Sequence, residues 1–196
     1  MQDHCRRSLY NIVLLGDEQV GKTSLIAQLC KQGYFQTYNP TIENVHQRLI
    51  VVDDIPCAVN ILDTSGREDC NVLRQQWILY GDAFVLVYSI TDINSLWKVQ
   101  HLWREITTMK KTTRVPITLV GNKSDRQDRQ VSYYYGLKMA DILGCQLIET
   151  NSRTGANVDD AFSSIIRIIR LKDDDDNTPT TARTKHSHSK KSCIVQ

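Results

Sequence analysis

Strand-length apolar runs alternate along this chain with stretches in which apolar residues return every three or four positions. Residues 9–15 form a nearly continuous apolar run that stops at Gly16, the mark of a buried strand. From Lys22 to Lys31 the apolar positions Leu25, Ile26 and Leu29 follow helical spacing. Residues 43–52 and 56–62 read as two strands joined by Asp53-Asp54-Ile55, a hairpin. Residues 83–90 and 115–120 are buried strands, and 145–148 a short one. Leu96, Val99, Leu102, Trp103, Ile106 and Met109 mark one helix. Val158, Ala161, Phe162, Ile165 and Ile169 give the strongest helical stripe, with Asn157 as its expected N-cap and Asp159 and Asp160 in its first turn. Continuous apolar strands alternating with amphipathic helices predict an α/β fold. The sheet should be mostly parallel and covered on both faces, with ligands beyond the carboxyl ends of its strands.

Composition narrows the class. A chain of 196 residues suits one α/β domain. Its 24 basic and 22 acidic residues leave a net charge of +2, which gives no reason to expect nucleic acid as a partner. Cysteines at 5, 30, 57, 70, 145 and 193 show no C-x-x-C spacing, so neither a zinc site nor a disulfide framework is suggested. The N-terminus lacks the apolar core of a signal peptide, and Gln2 excludes N-myristoylation. The expected domains are an N-terminal extension (1–8), a nucleotide-binding domain (9–172), a disordered linker (173–192) opened by Asp173–Asp176, and a terminal motif (193–196).

Gly16-Asp17-Glu18-Gln19-Val20-Gly21-Lys22-Thr23 matches G-x-x-x-x-G-K-[ST] between a strand and a helix. The glycines let backbone N–H groups converge on phosphate oxygens, and the helix N-terminus adds positive potential. Lys22 would reach the β and γ phosphates, and the Thr23 hydroxyl would ligate Mg²⁺, with Ser24 completing the first turn. A second motif, Asn122-Lys123-Ser124-Asp125, narrows the base. A carboxylate at Asp125 can accept from both N1–H and the 2-amino group of guanine, a donor pair adenine lacks. Asn122 would tie this loop to the phosphate loop, and the Lys123 stem would cover the base.

With these motifs in place, the chain resembles the Ras-like small GTPases, and within them the Ras subfamily, from Tyr10 to Leu171. The residues that carry the likeness are residues 16–23, Tyr38-Asn39-Pro40-Thr41-Ile42-Glu43, Asp63-Thr64-Ser65-Gly66, residues 122–125 and Glu149-Thr150-Asn151-Ser152-Arg153. The resemblance implies a P-loop small G domain. Its sheet would have six strands, five parallel and one antiparallel, with five helices on both faces and two switch loops that sense the γ-phosphate. It implies GTP or GDP with Mg²⁺ as ligands. Thr41 would ligate Mg²⁺ in the GTP state, Asp63 would hold it through water, and Gly66 would donate its N–H to the γ-phosphate. Tyr34 stands where an aromatic packs on the guanine, and Tyr38 would close over the phosphates. Ser152 would offer its N–H to guanine O6, beside Asn151, with Arg153 replacing the usual lysine.

The departures are as informative. Arg67 occupies the place of the glutamine that orients the attacking water. A guanidinium stays charged and has no acceptor, so it cannot do that work. Glu18 stands where Ras has a glycine beside the γ-phosphate. The expectation is that the two pair across the site and slow hydrolysis. The competing readings are that both are tolerated loop changes, or that Arg67 acts as a finger in cis. The effector segment, Tyr38, Asn39, Pro40, Thr41, Ile42, Glu43, Asn44, Val45 and His46, keeps only Glu43 as an acid, which should weaken binding to basic effector domains. His46 reads as an ordinary surface residue, and Cys70 as an inert thiol in the second switch.

Cys193-Ile194-Val195-Gln196 fits C-a-a-X with a terminal Gln, which predicts farnesylation at Cys193. Arg183, Lys185, Lys190 and Lys191 add a modest attraction to anionic membrane. The expected protein is a monomeric GTP/GDP switch at the cytoplasmic face of a membrane. Its partners would be effectors, exchange factors, GTPase-activating proteins and a prenyltransferase. The alternative is a GTP-locked, non-hydrolysing effector-binding module.

Overall fold

The computed structural model describes residues 9–31, 45–66 and 71–177. Its elements run β1 (Leu9–Gly16), α1 (Lys22–Lys31), β2 (Val45–Val52), β3 (Ile55–Asp63), α2 (Asn71–Tyr80), β4 (Ala83–Ser89), α3 (Ile93–Lys110), β5 (Ile117–Asn122), α4 (Tyr133–Leu143), β6 (Gln146–Glu149) and α5 (Val158–Asn177). The six strands lie in the order β2-β3-β1-β4-β5-β6. Only the β2–β3 pair is antiparallel. The α/β class with a mostly parallel sheet and helices on both faces is as the sequence predicts.

Side chains of one strand point alternately to the two faces, and both faces are covered. In β1, Tyr10, Ile12 and Leu14 enter the core under α1 and α5, while Val13 and Leu15 enter the core under α2, α3 and α4. In β4, Val85 and Val87 take the first side, and Phe84, Leu86 and Tyr88 the second. This two-sided burial makes β4 read as an apolar run and β1 and β5 as nearly continuous ones. The hairpin turns tightly on Asp53 and Asp54, both left-handed (φ 53° and 61°), the backbone of a type I′ turn. The Arg167 guanidinium grips Asp53 at 2.7 Å.

Three expectations need correction. The strand read at 115–120 is Ile117–Asn122, because Pro116 has no N–H to give the ladder and only its carbonyl pairs, with Phe84 N at 3.0 Å. Asn157 does not cap α5 with its side chain. It is left-handed (φ 59°), and its amide donates to Glu149 O at 2.8 Å. The linker does not start at 173: α5 continues through Asn177, since a helix already packed along one face extends at little cost. The pattern does not mark two helices, α2 and α4, because apolar residues also lie on their exposed faces, although α4 buries Gly136, Met139, Ala140 and Leu143 in one stripe. α2 buries Ile78 but exposes Val72, Leu73, Leu79 and Tyr80, and α4 opens on three exposed tyrosines, Tyr133, Tyr134 and Tyr135.

Candidate nucleotide-binding site

Among the described residues, the loops at 16–23, 63–66, 122–125 and 149–153 leave the sheet at the carboxyl ends of β1, β3, β5 and β6, on one side of the molecule. Gly16 ends β1, and left-handed backbone at Gln19 (φ 57°) and Gly21 (φ 100°) bends the following loop into a concave nest. A Cβ at Gly21 would strike the Asn122 amide, so the loop can close on β5 only with glycine there. Leu25 N donates to Gly21 O at 3.0 Å and starts α1. The N–H groups of Lys22, Thr23 and Ser24 therefore have no acceptor within the helix and lie at its positive end.

Lys22 is 6% exposed, and its ammonium donates to Gly16 O at 3.0 Å and Asp17 O at 2.7 Å. Burial pushes its pKa below the ordinary lysine value, against the pull of Asp63 and Asp17. Thr23 Oγ1 donates to Asp63 Oδ2 at 2.6 Å, joining the two expected Mg²⁺ ligands that are described. Asp63 Oδ1 is buried and has no hydrogen-bond partner. An orphaned buried carboxylate oxygen beside a hydroxyl is an all-oxygen donor set that fits a hard cation such as Mg²⁺. A hard cation held by these two groups would take its remaining oxygen ligands from elsewhere, as Mg²⁺ does from water and phosphate.

After β3, Thr64 is anchored by its hydroxyl to Leu14 O at 2.5 Å. Gly66 then lies flat on the phosphate loop, where a Cβ would come within 2.6 Å of Asp17 O. On the other side, Asn122 is fully buried. Its amide donates to Val20 O at 2.8 Å, and its Oδ1 accepts from Thr150 Oγ1 and from Ser152 N, each at 3.2 Å. The Ser152 N–H, which the resemblance assigns to guanine O6, is thus donated to Asn122 here. Lys123 is left-handed (φ 67°), which turns the chain so that Asp125 stands exposed at the rim. Asn151 holds its own turn, its Oδ1 accepting from Arg153 N at 2.9 Å and Thr154 N at 3.2 Å. Arg153 is exposed, and Val45 and His46 are half-buried at the start of β2.

Glu18 and Gln19 are exposed and Val20 buried. Asp17 meets a residue that no motif singles out: Lys98 of α3, whose ammonium donates to Asp17 Oδ1 at 2.8 Å. The two are 81 positions apart, so no local pattern could signal it. Tyr34, residues 38–44, Arg67, Cys70 and Cys193 lie outside the described residues. The Glu18–Arg67 pairing, the Thr41 ligand and the prenylation motif lie there with them.

The fold and this loop geometry define a P-loop α/β nucleotide-binding protein. The chain matches the Ras family over residues 11–171. It is 39% identical to Ras-like protein 1 of Pyricularia oryzae, over 92% of this chain and 84% of that protein. It is 38% identical to Protein ras-2 of Neurospora crassa, over 84% and 81% of the two chains. With Ras-like protein 1 of Saccharomyces cerevisiae it shares 38% identity over 82% of this chain and 52% of the relative. The chain belongs to the Ras family of small GTPases.

Proposed function

We propose that the chain is a GTP/GDP-binding switch whose own hydrolysis of GTP is slow and which is held at a membrane through Cys193. The observation that carries the reading is the Asn122 clamp, which joins the guanine-type loop to the phosphate loop through Val20. A base read at Asp125 and phosphates received at residues 16–23 are then parts of one rigid site.

Thr23 and Asp63 would hold Mg²⁺, together with Thr41 of the first switch in the GTP state. The ion would neutralise phosphate charge when bound. Lys22 supplies a fixed positive charge at the mouth of the loop. Slow hydrolysis follows from Arg67 in place of the water-orienting amide and from the extra carboxylate at Glu18. Effectors and exchange factors would read the two switch segments, as the family relationship implies.

The test has two readouts on the full chain. Competition of GDP, GTP, ADP and ATP for the site should leave only the guanine nucleotides bound. Single-turnover hydrolysis with Mg²⁺ should then be slow but finite. Tight ADP binding would reject the guanine assignment. No turnover at all would favour a GTP-locked effector-binding module.

A further inference from the structure

The phosphate loop carries two adjacent carboxylates, Asp17 and Glu18. Both have the wrong sign for a loop that receives phosphate oxygens. The fold treats them differently. Glu18 is exposed, whereas Asp17 is half-buried, and its Oδ1 accepts from the Glu18 N–H and from Lys98 Nζ, each at 2.8 Å. Lys98 projects from α3, a helix fixed in the core by Leu96, Val99 and Leu102, so its ammonium comes from a rigid support. The Lys98 and Asp17 side chains are 22% and 26% exposed, which shields the pair from much of the screening by salt.

The pair is also a partition. Asp17 and Lys98 line both a cavity of about 670 Å³ on the phosphate-loop side and one of about 540 Å³ between α2 and α3. Burial alone would push the Asp17 carboxyl up. Lys98, the Glu18 N–H and Lys22 outweigh that and hold it below its ordinary value, so it is ionised at neutral pH.

We propose that Lys98 is a positioning residue of the nucleotide site: its ion pair with Asp17 holds that carboxylate against α3 and cancels its charge, so that the loop admits a nucleoside triphosphate as well as a diphosphate. This rests on the reading of the loop as a guanine-nucleotide site. Removing Lys98 makes the surroundings of the phosphates more negative by one charge, since Asp17 keeps its own. Repulsion grows with the charge brought near it, and GTP brings more than GDP. An ordinary surface ion pair would contribute little and would not tell the two nucleotides apart.

The experiment is equilibrium binding of fluorescent GTP and GDP analogues, with Mg²⁺, to the full chain. The proteins compared are the unaltered chain, Lys98→Ala, Lys98→Gln, Lys98→Arg, and Lys98→Ala combined with Asp17→Asn. Both neutral substitutions should lose about tenfold in GTP affinity, which is about 1.4 kcal/mol, and no more than about twofold in GDP affinity. Lys98→Arg should keep the GTP affinity. Adding Asp17→Asn removes the charge, keeps an acceptor for the Glu18 N–H, and should restore the ratio of GTP to GDP affinity. Equal losses for the two nucleotides, a loss that Asp17→Asn does not repair, or no loss would each overturn the proposal while leaving the nucleotide reading intact. Failure of the unaltered chain to bind either guanine nucleotide would overturn both.

Discussion

The Asn122 amide donates to the Val20 carbonyl at 2.8 Å, across 102 positions of chain, and so fastens the base loop to the phosphate loop. The same side chain accepts from Thr150 Oγ1 and Ser152 N, and it is fully buried. Asn122→Ala would therefore strand two buried polar groups, Val20 O and Thr150 Oγ1, and the part-buried Ser152 N–H. Each costs about 1–3 kcal/mol when left unpaired. Denaturant unfolding should show a loss of about 3 kcal/mol or more, accompanied by weaker GDP binding. A change within about 0.5 kcal/mol would mean that the clamp is dispensable.

Asp125 is exposed beyond the left-handed turn at Lys123, and its carboxylate is the group proposed to read the base. Asp125→Asn exchanges an acceptor pair for a side chain that can donate to a 2-oxo group. GDP affinity should fall by at least about a hundredfold while xanthosine diphosphate binding rises. Competition binding reads both changes, and undiminished GDP affinity would refute the guanine assignment.

The acid limb of the stability curve should report the Asp17–Lys98 pair. Asp17 titrates below the ordinary value of 3.8 in the folded chain. A carboxyl depressed in this way stabilises the fold fully above that value and loses the contribution as pH falls through the folded pKa. Lys98→Met should thus be less stable than the unaltered chain at pH 7, with the gap narrowing toward pH 3 in urea melts. A gap that widens with acid would have the wrong sign.

Hydrolysis should respond to restoring what the family uses. Arg67→Gln together with Glu18→Gly should raise the single-turnover rate by at least about tenfold, on the order of 1.4 kcal/mol of barrier. Arg67→Ala alone should change little. A steep drop in Arg67→Ala would instead make the arginine catalytic.

Membrane attachment should depend on one thiol. Cys193→Ser removes the expected prenyl acceptor, and four basic tail residues at about 1 kcal/mol each hold weakly without a lipid chain. Fractionation should move the protein to the cytosol. Retention at the membrane would point to a second anchor.

The sequence by itself determined the α/β class, the buried strands and the position of two loop motifs. A parallel strand buried on both faces is predominantly apolar, so β1, β4 and β5 are visible whatever surrounds them, with Pro116 merely shifting where β5 starts. α1, α3 and α5 bury one clear stripe each. The phosphate and base motifs are legible because a backbone nest and a bidentate acceptor need only a few consecutive residues. What only the tertiary structure decided is whatever depends on strand order. α2 and α4 escape a periodicity reading because their exposed faces are also apolar. Asn157 gives up capping because the Glu149 carbonyl is brought beside it. Lys98 joins the phosphate loop only because β4 lies next to β1 and carries α3 over Asp17. Local patterns encode hydrogen bonds and burial within a few residues, whereas a contact 81 positions apart exists only once the sheet has put its strands in order.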